Sequence, residues 1–364
     1  MPNQTTSPNN IKKQDKPKLR QQQLDLFKQF YVSNAADQQN YSNLIGLWDV
    51  MPRYSISRLM MNKLRDERSV LRPYYMDFQY RNETYSIEIQ PASTKNRQKP
   101  NKTTKGIEVI DYYPSANEEL VEEALRKIFI EKYGSEDTSL IVRFTIYELC
   151  EMLKRFGHTR SKIEVIQSLE VMSRSKIIVS KKAVNGRGKV YIVSSYLNDL
   201  VGLDYIQDET EAPANWSARF HPMVAEAIKL ENYRQYDLKI LMDYKTQLAR
   251  WIHRLLIDKY VFASKLKPFE IRYSTIKRDS QMLNNYGRER DAIEAIHCSF
   301  DEIKSAGVIY SFGVKNMFSD HGKIADVVFI LSPTANFISE VKVANKRKSY
   351  AENELSTGLL ESRK

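Results

Sequence analysis

The chain has 364 residues, 42% hydrophobic and 28% charged, with 56 Lys and Arg against 45 Asp and Glu for a formal net charge of +11. This size and apolar content fit two ordinary domains and exclude a fibre, and the cationic excess favours a polyanionic partner, because Lys and Arg release counterions condensed on nucleic-acid phosphates. Cys150 and Cys298 are the only cysteines, each in an apolar helical pattern that reads as core, so a disulfide framework and a thiolate metal cage are both excluded.

Residues 1–20 are rich in Asn, Gln, Lys and Pro and carry no apolar targeting core. Such a stretch buries too little to offset its own ordering, so 1–43 is expected to be a flexible arm. No apolar run approaches the length of a bilayer span, which predicts a cytoplasmic protein without a membrane partner. Residues 74–80 and 84–89 alternate around Arg81-Asn82-Glu83 as a hairpin does, and 107–113 reads as a further strand. Between them 93–105 is a basic polar loop. Ser115 and Glu118 have capping-box spacing ahead of Leu120, Ala124, Leu125, Ile128 and Phe129, predicting a helix over 116–133.

Two later segments repeat one order of elements. The first has a strand at 140–144, a Thr145 cap with Glu148 at capping-box distance, a helix to 156, a break at Gly157, a helix over 160–174 and strands at 177–184 and 189–195 joined by Asn185-Gly186. The second has a strand at 269–273, a Ser274 cap, a helix to about 284, a turn at Gly287, a helix over 288–305 and strands at 307–312 and 323–331. Strand, helix, turn, helix and β-hairpin make a winged helix-turn-helix. The fold class is therefore α+β, two tandem winged helix-turn-helix domains behind a disordered N-terminal arm. The first domain with its β-rich lead-in covers 44–206, an acidic linker with Pro213 covers 207–214, the second domain covers 215–340, and a basic flexible tail covers 341–364. Within the second, 216–220 reads as a strand, 222–230 as a short helix and 238–260 as one scaffold helix.

The buried stripe of the helix over 160–174 is Val165, Ile166, Leu169 and Met172, which turns Arg160, Ser161, Glu164 and Gln167 outward as major-groove readers. Lys162 joins them as a DNA-binding candidate, and Arg174, Lys176, Lys181, Lys182, Arg187 and Lys189 supply phosphate contacts. In the second unit Ile293, Ile296, Phe300 and Ile303 face inward, leaving Arg288, Arg290, Asp291 and Glu294 as readers. Lys277, Arg278, Lys315 and Lys323 are its candidate phosphate ligands, and the alternative role of Asp291 and Glu294 is to orient the arginines.

Enzymatic chemistry finds little support. His158, His221, His253, His297 and His321 are scattered, without the His-hydrophobic-His pair that a nicking tyrosine's metal needs. Residues 186–189 lack the spacing of a phosphate-binding loop. Glu118, Glu119, Glu122 and Glu123 sit near a helix N-terminus, where they complement the dipole. No cofactor and no metal site is expected.

In the arm, Gln23, Leu24, Asp25, Leu26 and Phe27 match the bacterial sliding-clamp-binding peptide, whose apolar anchors enter a pocket while the Gln bonds at its rim; the spacing of Leu24, Phe27 and Phe30 also suits an ordinary helical turn. Together with Ile166-Gln167-Ser168-Leu169, Phe220-His221-Pro222-Met223-Val224 and the tandem units, this resembles the plasmid replication initiators of the TrfA, RepA and RepC winged-helix type. The resemblance implies binding to iteron repeats at a plasmid origin, duplex opening, and recruitment of host initiator, helicase and sliding clamp. It also implies a homodimer in equilibrium with an active monomer. A winged-helix transcriptional repressor is the alternative, sharing every DNA-binding residue.

Overall fold

The computed structural model describes residues 44–68, 70–95, 109–133, 141–182, 188–202, 215–229, 238–342 and 345. Helix α1 (Leu44–Val50) sends Leu47, Trp48 and Val50 into the core, and α2 (Arg58–Leu64) starts at Ser57, whose hydroxyl accepts from the Met60 amide at 3.2 Å. Strands β1 (Tyr74–Tyr80) and β2 (Glu83–Gln90) form the expected hairpin. Met76, Phe78 and Tyr80 of one strand and Tyr85, Ile87 and Ile89 of the other are buried, as alternation requires. Arg81 and Asn82 make the turn with φ of 51° and 64°. Strands β3 (Ala92–Lys95) and β4 (Val109–Tyr112) pair across the segment read as a loop.

Helix α3 (Ala116–Tyr133) has the predicted bounds, and the Glu118 carboxylate accepts from both the amide and the hydroxyl of Ser115. Strand β5 (Ile141–Thr145) runs into α4 (Ile146–Arg155) through a complete Thr145–Glu148 capping box. At the other end Gly157 adopts φ 82° and donates to the Lys154 carbonyl, while His158 donates to Leu153. That closes the helix with a Schellman turn, which favours glycine. Helix α5 (Lys162–Arg174), the hairpin β6 (Lys176–Lys182) and β7 (Lys189–Ser195), and β8 (Leu197–Val201) follow.

The chain continues with β9 (Asn215–Phe220), α6 (Pro222–Lys229), α7 (Leu238–Asp243), α8 (Gln247–Lys259), β10 (Phe269–Arg272), α9 (Tyr273–Ser280), a 3-10 turn (Met282–Asn285), α10 (Glu289–Ser305), β11 (Ile309–Phe318) and β12 (Ile324–Pro333). Instead of one scaffold helix over 238–260 there are two. The second starts at Thr246, whose hydroxyl caps the Ala249 amide, while the Glu302 carboxylate holds the amides of Lys245 and Thr246 in the break. Ser274 does not cap α9. Its hydroxyl donates to Asp326 at 2.5 Å, and the helix begins two residues earlier than a Ser274 cap would set, with Arg272 in the cap position and no side-chain cap. Cys150 is half-buried and Cys298 exposed, so Cys298 is not the core residue expected.

The repeated order of elements is present, but the strand pairing is not repeated. In the second unit the sheet runs β10-β12-β11, with first and last strands adjacent and the hairpin as a wing. In the first, β5 pairs with β9 rather than β7, and β9 with β8. The β6–β7 hairpin instead extends the lead-in hairpin into a four-stranded sheet, β1-β2-β6-β7. Strand β9, assigned on sequence to the second domain, thus completes a sheet of the first. After it, buried His221 stacks on Trp48 at 4.3 Å between ring centroids.

Charge holds the halves together as well as apolar packing. Arg250 on α8 donates to Glu119 of α3 at 3.2 Å, and Arg254 reaches both Glu119 and Glu123, the latter at 2.9 Å. One turn along α3, Glu122 accepts from Trp48, Tyr54, Arg53 and Arg126, and Arg126 also binds Asp49. These side chains are buried. Four carboxylates, those of Asp49, Glu119, Glu122 and Glu123, meet the four guanidiniums of Arg53, Arg126, Arg250 and Arg254. Burial alone would raise Glu119 and Glu122, but the adjacent guanidiniums win and hold both below the usual carboxylate range.

Candidate nucleic-acid interface

Helix α10 buries Ala292, Ile296, Ser299, Phe300 and Ile303, which leaves Arg288, Arg290, Asp291 and Glu294 exposed along its first turns. Ile293, expected inward, is half-buried at the edge of that face. Gly307, with φ 75°, ends the helix in a second Schellman turn and starts the wing. Lys315 and Lys323 on the wing are exposed. Between α9, the start of α10 and the wing lies an open groove of about 650 Å³. Lys277, Arg278 and Arg290 stand on its helical side, and Val314, Asn316 and Ile324 on its wing side.

The cations of this groove differ in what already holds them. Lys277 lies 3.5 Å from Glu289, while Arg278 binds Asp279 through two nitrogens at 2.7 and 2.8 Å. Arg278 is thus oriented by a buried carboxylate, which also accepts from the Gln79 amide. Asp326 adds a negative charge to the groove. Although partial burial opposes ionisation, the Ser274 hydroxyl and neighbouring amides keep its carboxyl below the ordinary range.

The first unit presents a different surface. Helix α5 packs on α3, α4, β3 and β8, so most of its circumference is covered. Gln167, predicted to read bases, is buried at 6% exposure beside Glu118, Tyr112 and Ser168. It cannot reach a groove in this arrangement, because Tyr112 of β4 and Glu118 of α3 lie beside it where solvent was expected. Ser161 and Glu164 form the capping box of α5, with the Glu164 carboxylate accepting from the Ser161 amide and hydroxyl at 2.9 Å each. Those bonds hold the Glu164 carboxyl below its ordinary pKa. Arg160 is half-buried and donates to Asn117 at 3.1 Å.

Among the phosphate candidates, Lys181 is buried, bonded to Glu83 at 2.8 Å and seated against the Tyr85 ring, so it braces the sheet. Its neighbours alternate outward: Lys182 and Lys189 face each other across β6 and β7 and are exposed. Lys176 donates to Ser195, and Arg174 donates to the Ser93 carbonyl on β3, both remaining exposed. Lys162 is exposed at the start of α5. Arg187 and the Gln23–Phe27 peptide lie outside the described residues.

No family model matches this chain, and no curated protein matches it. Solved structures do. Domains 2 and 3 of RctB, as a selenomethionine derivative, align over 80% of this chain and 98% of theirs at 10% identity and a TM-score of 0.49. A second crystal structure of those domains aligns over 82% and 99% at 9% identity and 0.47. The Pi initiator protein in complex with iteron DNA aligns over 60% and 94% at 12% identity and 0.39. Likenesses at these values assign this chain neither an activity nor a partner.

The apolar wing residues Val314, Phe318 and Ile324 were missed by sequence reading, as was the buried charge cluster. The cluster had a signal. Glu119 and Glu123 stand four apart on one helix and Arg250 and Arg254 four apart on another, so each pair occupies one helix face. Among the described residues, no group of three or more His, Cys, Asp or Glu side chains is placed to hold a metal ion, and no helix is long and apolar enough to cross a membrane.

Proposed function

We propose that this chain is a non-enzymatic, sequence-specific binder of double-stranded DNA that initiates plasmid replication. In this reading it binds iteron repeats at the origin, helps open the duplex, and recruits the host initiator, helicase and sliding clamp. The observation that carries the DNA-binding part is the exposed first turn of α10, with Arg288 and Arg290 beside a wing bearing Lys315 and Lys323. A helix of this kind enters a major groove, and the flanking cations meet phosphates. The second unit is the principal reader, since the corresponding helix of the first is covered on most sides. Lys182 and Lys189 then hold the backbone of an adjoining stretch. The replication part rests on the sequence resemblance and on the clamp-like peptide at Gln23–Phe27, with a monomer and dimer in equilibrium in the bacterial cytoplasm.

Footprinting the full chain on DNA flanking its gene tests this. Protection of direct repeats about two helical turns apart supports the initiator, whereas one palindrome over a promoter supports a repressor and overturns the replication role. Binding of the Gln23–Phe27 peptide to a sliding clamp, and its loss on Phe27→Ala, tests the recruitment step separately.

A further inference from the structure

The wing outruns the core that supports it. Along β12 exposure rises from 0% at Leu331 and Phe329 to 7% at Val327 and 58% at Ile324. Opposite it, β11 goes from 2% at Ile309 to 50% at Val314 and 65% at Phe318. The last rung of the ladder pairs Phe318 with Ile324, after Asn316 with Val327 and Val314 with Phe329. Alternation along β11 puts Phe312, Val314, Asn316 and Phe318 in one row, the row that packs on α10 lower down. Val314, Asn316 and Ile324 line the groove facing α9 and α10, and Phe318, the next residue of that row, pairs with Ile324 just past a register shift in the ladder.

Isolated exposed apolar residues are ordinary, but two large ones held side by side at the end of a stiff two-stranded arm form a wedge. Its surroundings indicate what it enters. Lys323 precedes Ile324, Lys315 is exposed on the other face of β11, Lys277 and Arg290 stand across the groove, and the acids nearby are Asp320 in the turn, Glu289 beside Lys277, and Asp326 bonded to Ser274. A cationic rim around an apolar point matches a duplex, which is anionic outside and stacked and apolar within. The recess between wing and helix is concave, so it suits a curved backbone better than a flat lipid surface.

Building on the DNA-binding reading above, we infer that Phe318 and Ile324 enter the minor groove beside the major groove occupied by α10 and partly unstack one base step, kinking the duplex. Side chains of this type at groove-facing tips act as wedges, and the unstacking is offset by the longer contact that a bent duplex allows. No covalent step is involved. The wedge would give a non-enzymatic protein a direct means of loosening base pairs.

The test uses the full chain on a fragment it protects in footprinting, with 2-aminopurine placed at successive positions and a fluorophore on each end. The wild type should raise 2-aminopurine fluorescence at one or two adjacent positions beside the α10 footprint and shorten the end-to-end distance. Phe318→Ala should lose both signals and about tenfold or more in affinity while keeping the footprint and its salt dependence. Phe318→Trp should restore them, and Lys323→Ala should weaken binding but leave the fluorescence change. Protection without a fluorescence change, or an unaltered signal in Phe318→Ala, sinks the wedge alone. No protection on any flanking DNA sinks the DNA-binding reading itself. Binding of the wild type to anionic vesicles that Phe318→Ala abolishes would assign the tip to a membrane surface and overturn the inference.

Discussion

Arg254 lies between Glu119 and Glu123 in a water-poor seam, where each charge is tolerable only because of the others. Removing one partner leaves an uncompensated buried charge, and Arg254→Ala should cost about 3–5 kcal/mol of stability. Urea unfolding measures this, and a loss below 1 kcal/mol would mean that water reaches the seam. Two buried histidines make the protein acid-sensitive at higher pH than its carboxylates do. Burial pushes His221 and His253 down to about 3 from an ordinary 6.5, so the folded state keeps them neutral where the unfolded chain takes up protons. Their stabilisation is full above about pH 6.5 and is lost as pH falls toward 3. Between pH 7 and pH 5 each should remove about 2 kcal/mol, and His253→Leu should shrink that difference by one such share. Glu119 and Glu122, held low, add their own loss below the ordinary carboxylate value of 4.5. The four-residue spacing of the charged pairs is legible in the sequence but their burial is not, since Glu119, Arg250 and His253 acquire partners only when distant helices meet.

At the level of elements, what was readable is what neighbours in sequence decide. The bounds of α3, the Thr145–Glu148 box and the β1–β2 hairpin all follow from contacts within a few residues. Thr145→Ala should therefore cost about 0.5–2 kcal/mol in thermal or chemical unfolding. The covering of α5 was unreadable, because β3 comes from far earlier in the chain, as the Arg174 bond to Ser93, 81 positions away, shows. The site divides the same way. Arg288, Arg290, Asp291 and Glu294 lie on the exposed face that periodicity predicts, whereas Gln167 and Lys181 are claimed by strands that periodicity cannot see. Within α10, Arg290→Ala should relax preference at one base position by about 1–3 kcal/mol, and Lys182→Ala should weaken all sequences alike. Competitive binding to the protected site and to single-base variants separates the two, and equal losses for Arg290→Ala on specific and random DNA would remove it as a reader.

For the molecule as a whole, the full chain carries a net charge of +11, and its two units are unlike, one with its helix exposed and one with its helix covered on most sides. The affinity for any duplex should therefore fall steeply with salt, by about 0.9 logarithmic units per logarithmic unit of salt for each phosphate neutralised. Replacing Lys315 and Lys323 together should flatten that slope by about two, as a salt titration would show.

The strand β9 follows the 203–214 segment in the chain, yet it is zipped between β5 and β8, and Trp216 and Phe220 are buried there. A protease site introduced within that segment should thus yield two pieces on a denaturing gel that still migrate as one particle in gel filtration. Shared strands and interlocked ions, rather than the peptide bond joining the two pieces, would be what makes them a single body.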